Sequence, residues 1–196
     1  MAAFINNDIT AAGLIVLAKG AAGQKITYTK IVLGDGYLEE GQTPRSLTGV
    51  VSPKAVIDIT KLKVNTDGTV AVGGIFTNDQ TSDGFFYREL GLYAEDPDPA
   101  VGEVLYCYGN CGDLAEWIPP TGGATIVEKT IDIVTAIGTA TNVTAYIPAD
   151  AYATKEDYET YKAIALAAQA IANEAIEIAR QAVKTANEAK QATIDL

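Results

Sequence analysis

Histidine is absent from the 196 residues, and cysteine occurs twice, at Cys107 and Cys111, with Tyr-Gly-Asn between them. Two thiols without a histidine cannot complete a tetrahedral zinc site. No nucleophile stands in a recognisable activated setting, so neither an enzyme nor a metal or cofactor is expected. With no export signal, the pair reads as reduced thiols in a turn, a hairpin disulfide or redox pair being the alternative. Positive charge is scarce: 14 Lys and Arg stand against 25 Asp and Glu, a net charge of −11, and residues 1–150 hold 9 basic and 18 acidic side chains. A phosphate-tracking groove needs clustered Lys and Arg, so nucleic acid and anionic membrane are poor expected partners. An acidic surface suits a soluble protein or one that docks on a basic partner. Long hydrophobic runs are missing as well. The apolar run at 11–17 is far short of the roughly 20 residues of a membrane span, and no basic n-region precedes it, so a soluble chain made in the cytosol is expected.

Glycine and proline are absent from 158–196, the stretch with the clearest period. Position a falls on Tyr161, Ala168, Ala175, Ala182, Ala189 and Leu196, and position d on Ile164, Ile171, Ile178, Thr185 and Ala192. These alternating steps of three and four are the mark of a coiled coil. Ala165, Ala172, Ala179 and Ala186 widen the stripe on the e side. At 1.5 Å per residue the rod would be roughly 60 Å long, and nothing else in the chain is large enough to cover it, so it is expected to meet copies of itself. Alanine-rich seams fit two, three or four strands. The alternative is a solitary amphipathic helix folded back on the domain before it. The division expected is a globular domain over 1–150 and a coiled-coil shaft over 151–196.

Asp8 or Thr10 can cap a short helix that puts Ile9, Leu14, Leu17 and Ala18 near one face and stops at Gly20 and Gly23. Residues 25–33 alternate and are β-branched, reading as a strand that ends in the turn Gly34-Asp35-Gly36. A loop with one helical turn covers 37–54. The runs 55–64 and 69–76 flank Asn65-Thr66-Asp67-Gly68, a hairpin signal because Asp-Gly readily takes positive φ. Further strands are expected over 85–94, 101–108, 124–137 and 141–147, with a long loop over 113–123 that holds Trp117. About six or seven strands and one short helix make an α+β head dominated by antiparallel pairing.

On a single strand through 85–94, Arg88 shares a face with Phe86, Leu90 and Leu92. A guanidinium among apolar neighbours needs a partner, and Asp35 is the candidate for a structural ion pair; an exposed edge arginine and a subunit contact are the alternatives. Gly34-Asp35-Gly36 lacks the GK[ST] of a phosphate loop. Asp96 and Asp98 lack the glycine and distal glutamate of a calcium loop. Glu39 with Glu40, or Asp113 with Glu116, are sequence neighbours rather than a pair facing across a cleft, which is weak support for a glycosidase. Tyr28, Tyr37, Tyr93, Tyr106, Tyr108 and Trp117 are amphipathic and suit a contact surface; Tyr106 and Tyr108, on one strand face, and Trp117 in its loop are the candidate partner-binding residues, with core packing as the competing account of the tyrosines.

Thr10-Ala11-Ala12-Gly13-Leu14, Val32-Leu33-Gly34-Asp35-Gly36, Phe86-Tyr87-Arg88-Glu89-Leu90-Gly91-Leu92-Tyr93-Ala94 and Ala153-Thr154-Lys155-Glu156-Asp157-Tyr158 occur in this order. Together they resemble the N-terminal domain of tail fibre (tail-collar fibre) proteins from contractile-tailed phages and related phage-tail-like bacteriocins, collinearly over about residues 1–160. The third motif is the most specific. The resemblance implies a baseplate-attachment domain at the start of a homotrimeric fibre in the virion tail, made in the host cytoplasm. It also implies a baseplate protein as partner, and a separate tip or downstream fibre segment for receptor binding. Phe86 stands near where the family often has Trp, and neither the Cys107 and Cys111 pair nor the Trp117 loop is a general feature. A carbohydrate-binding adhesin on a coiled-coil stalk, with Trp117 on the sugar, is the second reading.

Overall fold

The computed structural model describes Phe4, residues 7–123 and 125–148, and the backbone of 155–194, with side chains of that last segment over 162–191. The chain divides into two compact units, Met1–Tyr152 and Ala153–Leu196. The elements of the first unit are β1 (Asn7–Ile9), α1 (Ala11–Ala21), β2 (Ile26–Gly34), β3 (Pro53–Ile57), β4 (Lys61–Val64), β5 (Thr69–Thr77), β6 (Phe85–Tyr87), β7 (Glu89–Glu95), β8 (Glu103–Asn110), β9 (Glu116–Ile118), β10 (Glu128–Ala136) and β11 (Val143–Ala145). The second unit holds α2 (Lys155–Ile194). The fold is α+β, its sheets mostly antiparallel, with a short helix near the N-terminus and a long one at the C-terminus.

The main sheet runs β1-β8-β7-β2-β11, and β3 also pairs with β2. β11 lies parallel to β2 beside Ile26–Tyr28, while β3 lies antiparallel beside Ile31–Gly34, so two short strands share one edge of β2. A second sheet is ordered β10-β5-β4, and β6 with β9 forms a separate ribbon. The principal core gathers Ile26, Tyr28, Ile31 and Leu33 of β2 with Val70, Val72 and Phe76 of β5 and Ile131 and Ile133 of β10. A smaller cluster of Leu47, Leu105 and Tyr108 is covered by Leu38, Val50 and Tyr93.

Two runs expected as single strands change sheets partway. The segment 55–64 is divided between β3 in the main sheet and β4 in the second, which accounts for its imperfect alternation. The segment 85–94 breaks at Arg88, with β6 before it in the ribbon and β7 after it in the main sheet. The hairpin at 65–68 forms, with Gly68 at φ 78° and Asp67 Oδ1 accepting from Thr69 N–H at 3.1 Å.

Helix α1 departs from its expected face. Thr10 is the cap, its Oγ1 accepting from Gly13 N–H at 2.9 Å. The buried residues are Gly13, Val16 and Gly20, while Leu14 is 37% exposed. Glycine makes this possible: a Cβ on Gly13 would lie 2.0 Å from Tyr106 O, and one on Gly20 would lie 2.5 Å from Ile26 Cδ1. The helix therefore lies against the sheet along its small residues rather than its large ones. Among the described residues, no helix is long and apolar enough to cross a membrane.

Candidate functional site

A dense hydrogen-bond network in the first unit is built from the two motifs 34–36 and 88–93. Glu89, fully buried, accepts from Gly36 N–H (2.6 Å) and Ser52 N–H (2.9 Å) at Oε2, and from Val51 N–H (2.7 Å) and Tyr108 Oη–H (2.8 Å) at Oε1. Asn110 Nδ2 then donates to Tyr108 Oη at 2.8 Å and to Gly36 O at 3.0 Å. A buried carboxylate is tolerable only when its lone pairs are occupied, and here one side chain clasps two loops, 34–37 and 50–52, to β8. Both glycines of the Gly-Asp-Gly turn are required: a Cβ on Gly34 or Gly36 would stand 2.4 or 2.7 Å from Glu89 Oε2. Burial raises the Tyr108 phenol; the Asn110 hydrogen bond opposes this and the adjacent Glu89 reinforces it.

Arg88 occupies the break between β6 and β7, its side chain 8% exposed. It forms an ion pair through Nη1 with Asp35 Oδ1, donates again from Nη1 to Asp35 O (2.6 Å), and donates from Nε to Gly112 O (3.0 Å). Its Cζ lies 3.9 Å from the Tyr37 ring centroid and 5.5 Å from that of Phe86. Arg88 thus lies in the break rather than on a strand face, held between two aromatic rings.

Tyr106 and Tyr108 are both fully buried, which removes them from any contact surface. They also do not share a face. Leu92 pairs with Cys107 and Tyr93 with Leu105, leaving Tyr106 as an extra residue in β8; this bulge turns Tyr106 and Cys107 into the principal core and Leu105 and Tyr108 into the smaller one. Tyr106 Oη donates to Ala136 O at 2.8 Å, and its ring meets that of Tyr28 edge-on at 5.1 Å. Cys107 lies within β8 rather than in a turn, and burial pushes its thiol up to about 12. Cys111 Sγ donates to Tyr87 O at 3.5 Å.

Trp117 is half exposed on β9, directly opposite Phe86 of β6, with ring centroids 5.0 Å apart. Gly84 lies under the indole, where a Cβ would stand 2.3 Å from Trp117 Cζ2. Tyr37 is 53% exposed and its Oη donates to Asp113 Oδ1 at 2.9 Å. Tyr37, Arg88, Phe86 and Trp117 thus form one continuous row. Tyr37, Arg88 and Trp117 are each singled out by the sequence, but Phe86 is not, since the cross-strand register that sets it against Trp117 is not written locally. Glu89 was missed too; its signal was a charged residue inside an otherwise apolar strand.

In α2, Ile164, Ile171 and Ile178, expected at a coiled-coil seam, are 61%, 69% and 65% exposed, and Ala168, Ala175, Ala182, Thr185 and Ala189 are exposed as well. The side chain of Tyr161 lies outside the described residues. Arg180 pairs with Glu177 at 2.7 Å and Lys184 with Glu188 at 3.9 Å on the polar side.

Elsewhere, Asp96 Oδ1 accepts from Lys19 Nζ and from Asp98 N–H, at 2.7 Å in the latter case, so this carboxylate holds a turn. The depression bounded by Thr27, Thr29, Glu95 and Glu103 has its Glu103 taken by Thr29 (2.6 Å) and Lys30 (2.5 Å). Among the described residues, no group of three or more His, Cys, Asp or Glu converges as metal ligands. No family model, curated protein or solved structure matches this chain.

Proposed function

We propose that the chain is a structural attachment protein: a head that anchors a fibre to the baseplate of a contractile phage tail or phage-tail-like bacteriocin, multiplied by a parallel trimeric coiled coil of α2. The observation that carries the reading is the exposed apolar face of that helix. Ile164, Ile171 and Ile178 line one flank, the alanines at 165, 168, 172, 175, 179, 182 and 186 fill the middle, and Ile176 and Val183, 49% and 61% exposed, line the other. At 100° per residue this face spans about half the circumference, wider than the roughly 100° stripe of an ordinary surface helix. A helix apolar over that width suits contact with two neighbours, which favours three strands over two. Burying each large side chain contributes about 1.5–3 kcal/mol, and the alanines contribute less, so the seam supports assembly without great excess. The four sequence landmarks supply the identity of the particle, and three weak head contacts on one rod gain avidity together.

The second reading, a carbohydrate-binding adhesin, draws on the half-exposed Trp117. Light scattering over a concentration series tests the primary one. The whole chain is expected to have three times the monomer mass, residues 1–152 to be monomeric, and Ile171→Asp to dissociate the whole chain. A whole chain monomeric at every concentration would refute the trimer.

A further inference from the structure

Among the exposed apolar side chains of the first unit, Tyr37, Phe86 and Trp117 are joined by geometry rather than scattered. Val51 and Leu114, 41% and 54% exposed, border the same row. Val51 Cβ lies 2.7 Å from where a Cβ on Gly36 would stand, and Leu114 follows the Asp113 that holds Tyr37. Exposed apolar patches of this kind mark interaction sites. The row is also rigid. Trp117 is wedged between Phe86 and Gly84, Tyr37 is tethered to Asp113, and Arg88 is fixed by Asp35 and Gly112. Among the described residues, the hydrogen bonds of Arg88 use Nε and Nη1, which leaves the Nη2 donors of a guanidinium between two half-exposed rings for an incoming acceptor.

We infer that the row from Tyr37 through Arg88 and Phe86 to Trp117 is the face on which the head docks, and that its occupant is a basic protein surface. Two observations select this occupant. The rings are not coplanar, Phe86 and Trp117 being inclined by 62°; they form knobs that enter gaps between side chains rather than a flat platform for a sugar chain. The charges tied to the row are Asp35, Asp113 and Arg88, and Asp83 stands exposed beside Gly84. With Arg88 already paired to Asp35, the rim is acidic and is complemented by Lys and Arg. Trp, Tyr and Arg are also the residue types in which protein-binding energy concentrates. That the partner is the baseplate rests on the attachment reading above.

Trp117 is the single tryptophan of the chain, so its emission reports directly on this face. The test titrates the full chain with fibre-less tail particles from the phage or bacteriocin producer that encodes it, following Trp117 emission and co-sedimentation. A blue shift on binding is expected, with affinity reduced at least tenfold by Tyr37→Ser, by Trp117→Ala (read by sedimentation) and by Asp83→Lys, and falling as salt rises. Asp83→Lys changes an exposed side chain, and an unchanged melting temperature and mass keep its result interpretable. Binding undiminished by all three variants overturns the surface and leaves the attachment reading standing. Absence of wild-type binding overturns both. A Trp117 shift produced by host wall polysaccharide but not by particles overturns the protein partner in favour of the adhesin.

Discussion

In the unit of residues 1–152, polar side chains are spent on holding the fold: Glu89, Arg88, Asp96 and Thr10 each bond to groups remote in sequence. In α2, every described side chain faces solvent, and its polar pairs join neighbours three or four residues apart. The first unit can be judged complete from its own contacts, whereas the apolar face of the second has a physical rationale only once another surface covers it. Residues that stabilise one unit should therefore leave the other untouched.

The largest break in this comparison is expected from Glu89→Gln. The amide keeps the shape but turns NH₂ toward donors that now meet Oε1 or Oε2. A loss of about 1–3 kcal/mol for each donor left unmet is expected, read by urea denaturation. The mass of the assembled chain should be unchanged wherever the head remains folded. A stability loss below about 1 kcal/mol would show that the clasp is dispensable.

A smaller effect separates the units by pH. Burial pulls the Asp96 carboxyl upward, but the hydrogen bonds from Lys19 and from Asp98 N–H, with the Lys19 charge, outweigh it and hold it below the usual aspartate range. A depressed folded value means the unfolded chain binds the proton first. This stabilisation is full above the ordinary value of about 3.9 and is lost as pH falls through the folded value. Lys19→Met should cost about 1–2 kcal/mol at pH 7 and flatten the decline of head stability in melts between pH 5 and 2.5. An unchanged acid slope would assign that decline to other carboxylates. Helix α2, whose described ion pairs are solvated, should contribute little to it.

The smallest expected effect has the opposite sign. Among the described residues, the buried Tyr28 hydroxyl makes no well-formed hydrogen bond, the Tyr106 hydroxyl being its polar neighbour, and an unmet buried donor is costly. Tyr28→Phe should therefore raise head stability by up to about 1 kcal/mol, seen as a higher melting temperature, while the edge-on contact with Tyr106 is retained.

The long helix, the hairpin at Asp67-Gly68 and the α+β class were legible because each depends on residues close in sequence: a 3.5-residue period, a turn that needs positive φ, and β-branched alternation. The pairing of Arg88 with Asp35 was also within reach, since a guanidinium in an apolar run must find a carboxylate. The positions of Tyr106 and Tyr108 were not. One extra residue in β8 reverses which side chains point into which core, and nothing local in 103–110 announces it. The face of α1 was likewise hidden, because hydrophobicity points to Leu14 and Leu17 while close approach to Tyr106 O selects Gly13.

By itself, then, the sequence determined the acidic balance, most of the element types and the periodic apolar face of 158–196, all of which follow from composition and local spacing, whereas the strand β9 inside the expected loop 113–123 was not legible. Only the tertiary structure decided that Glu89 clasps two loops lying 37 to 53 residues away, and that Phe86 meets Trp117 across a two-stranded ribbon. Long-range register and the satisfaction of buried polar groups are properties of the whole packed head, set when strands distant in the chain are brought into one sheet.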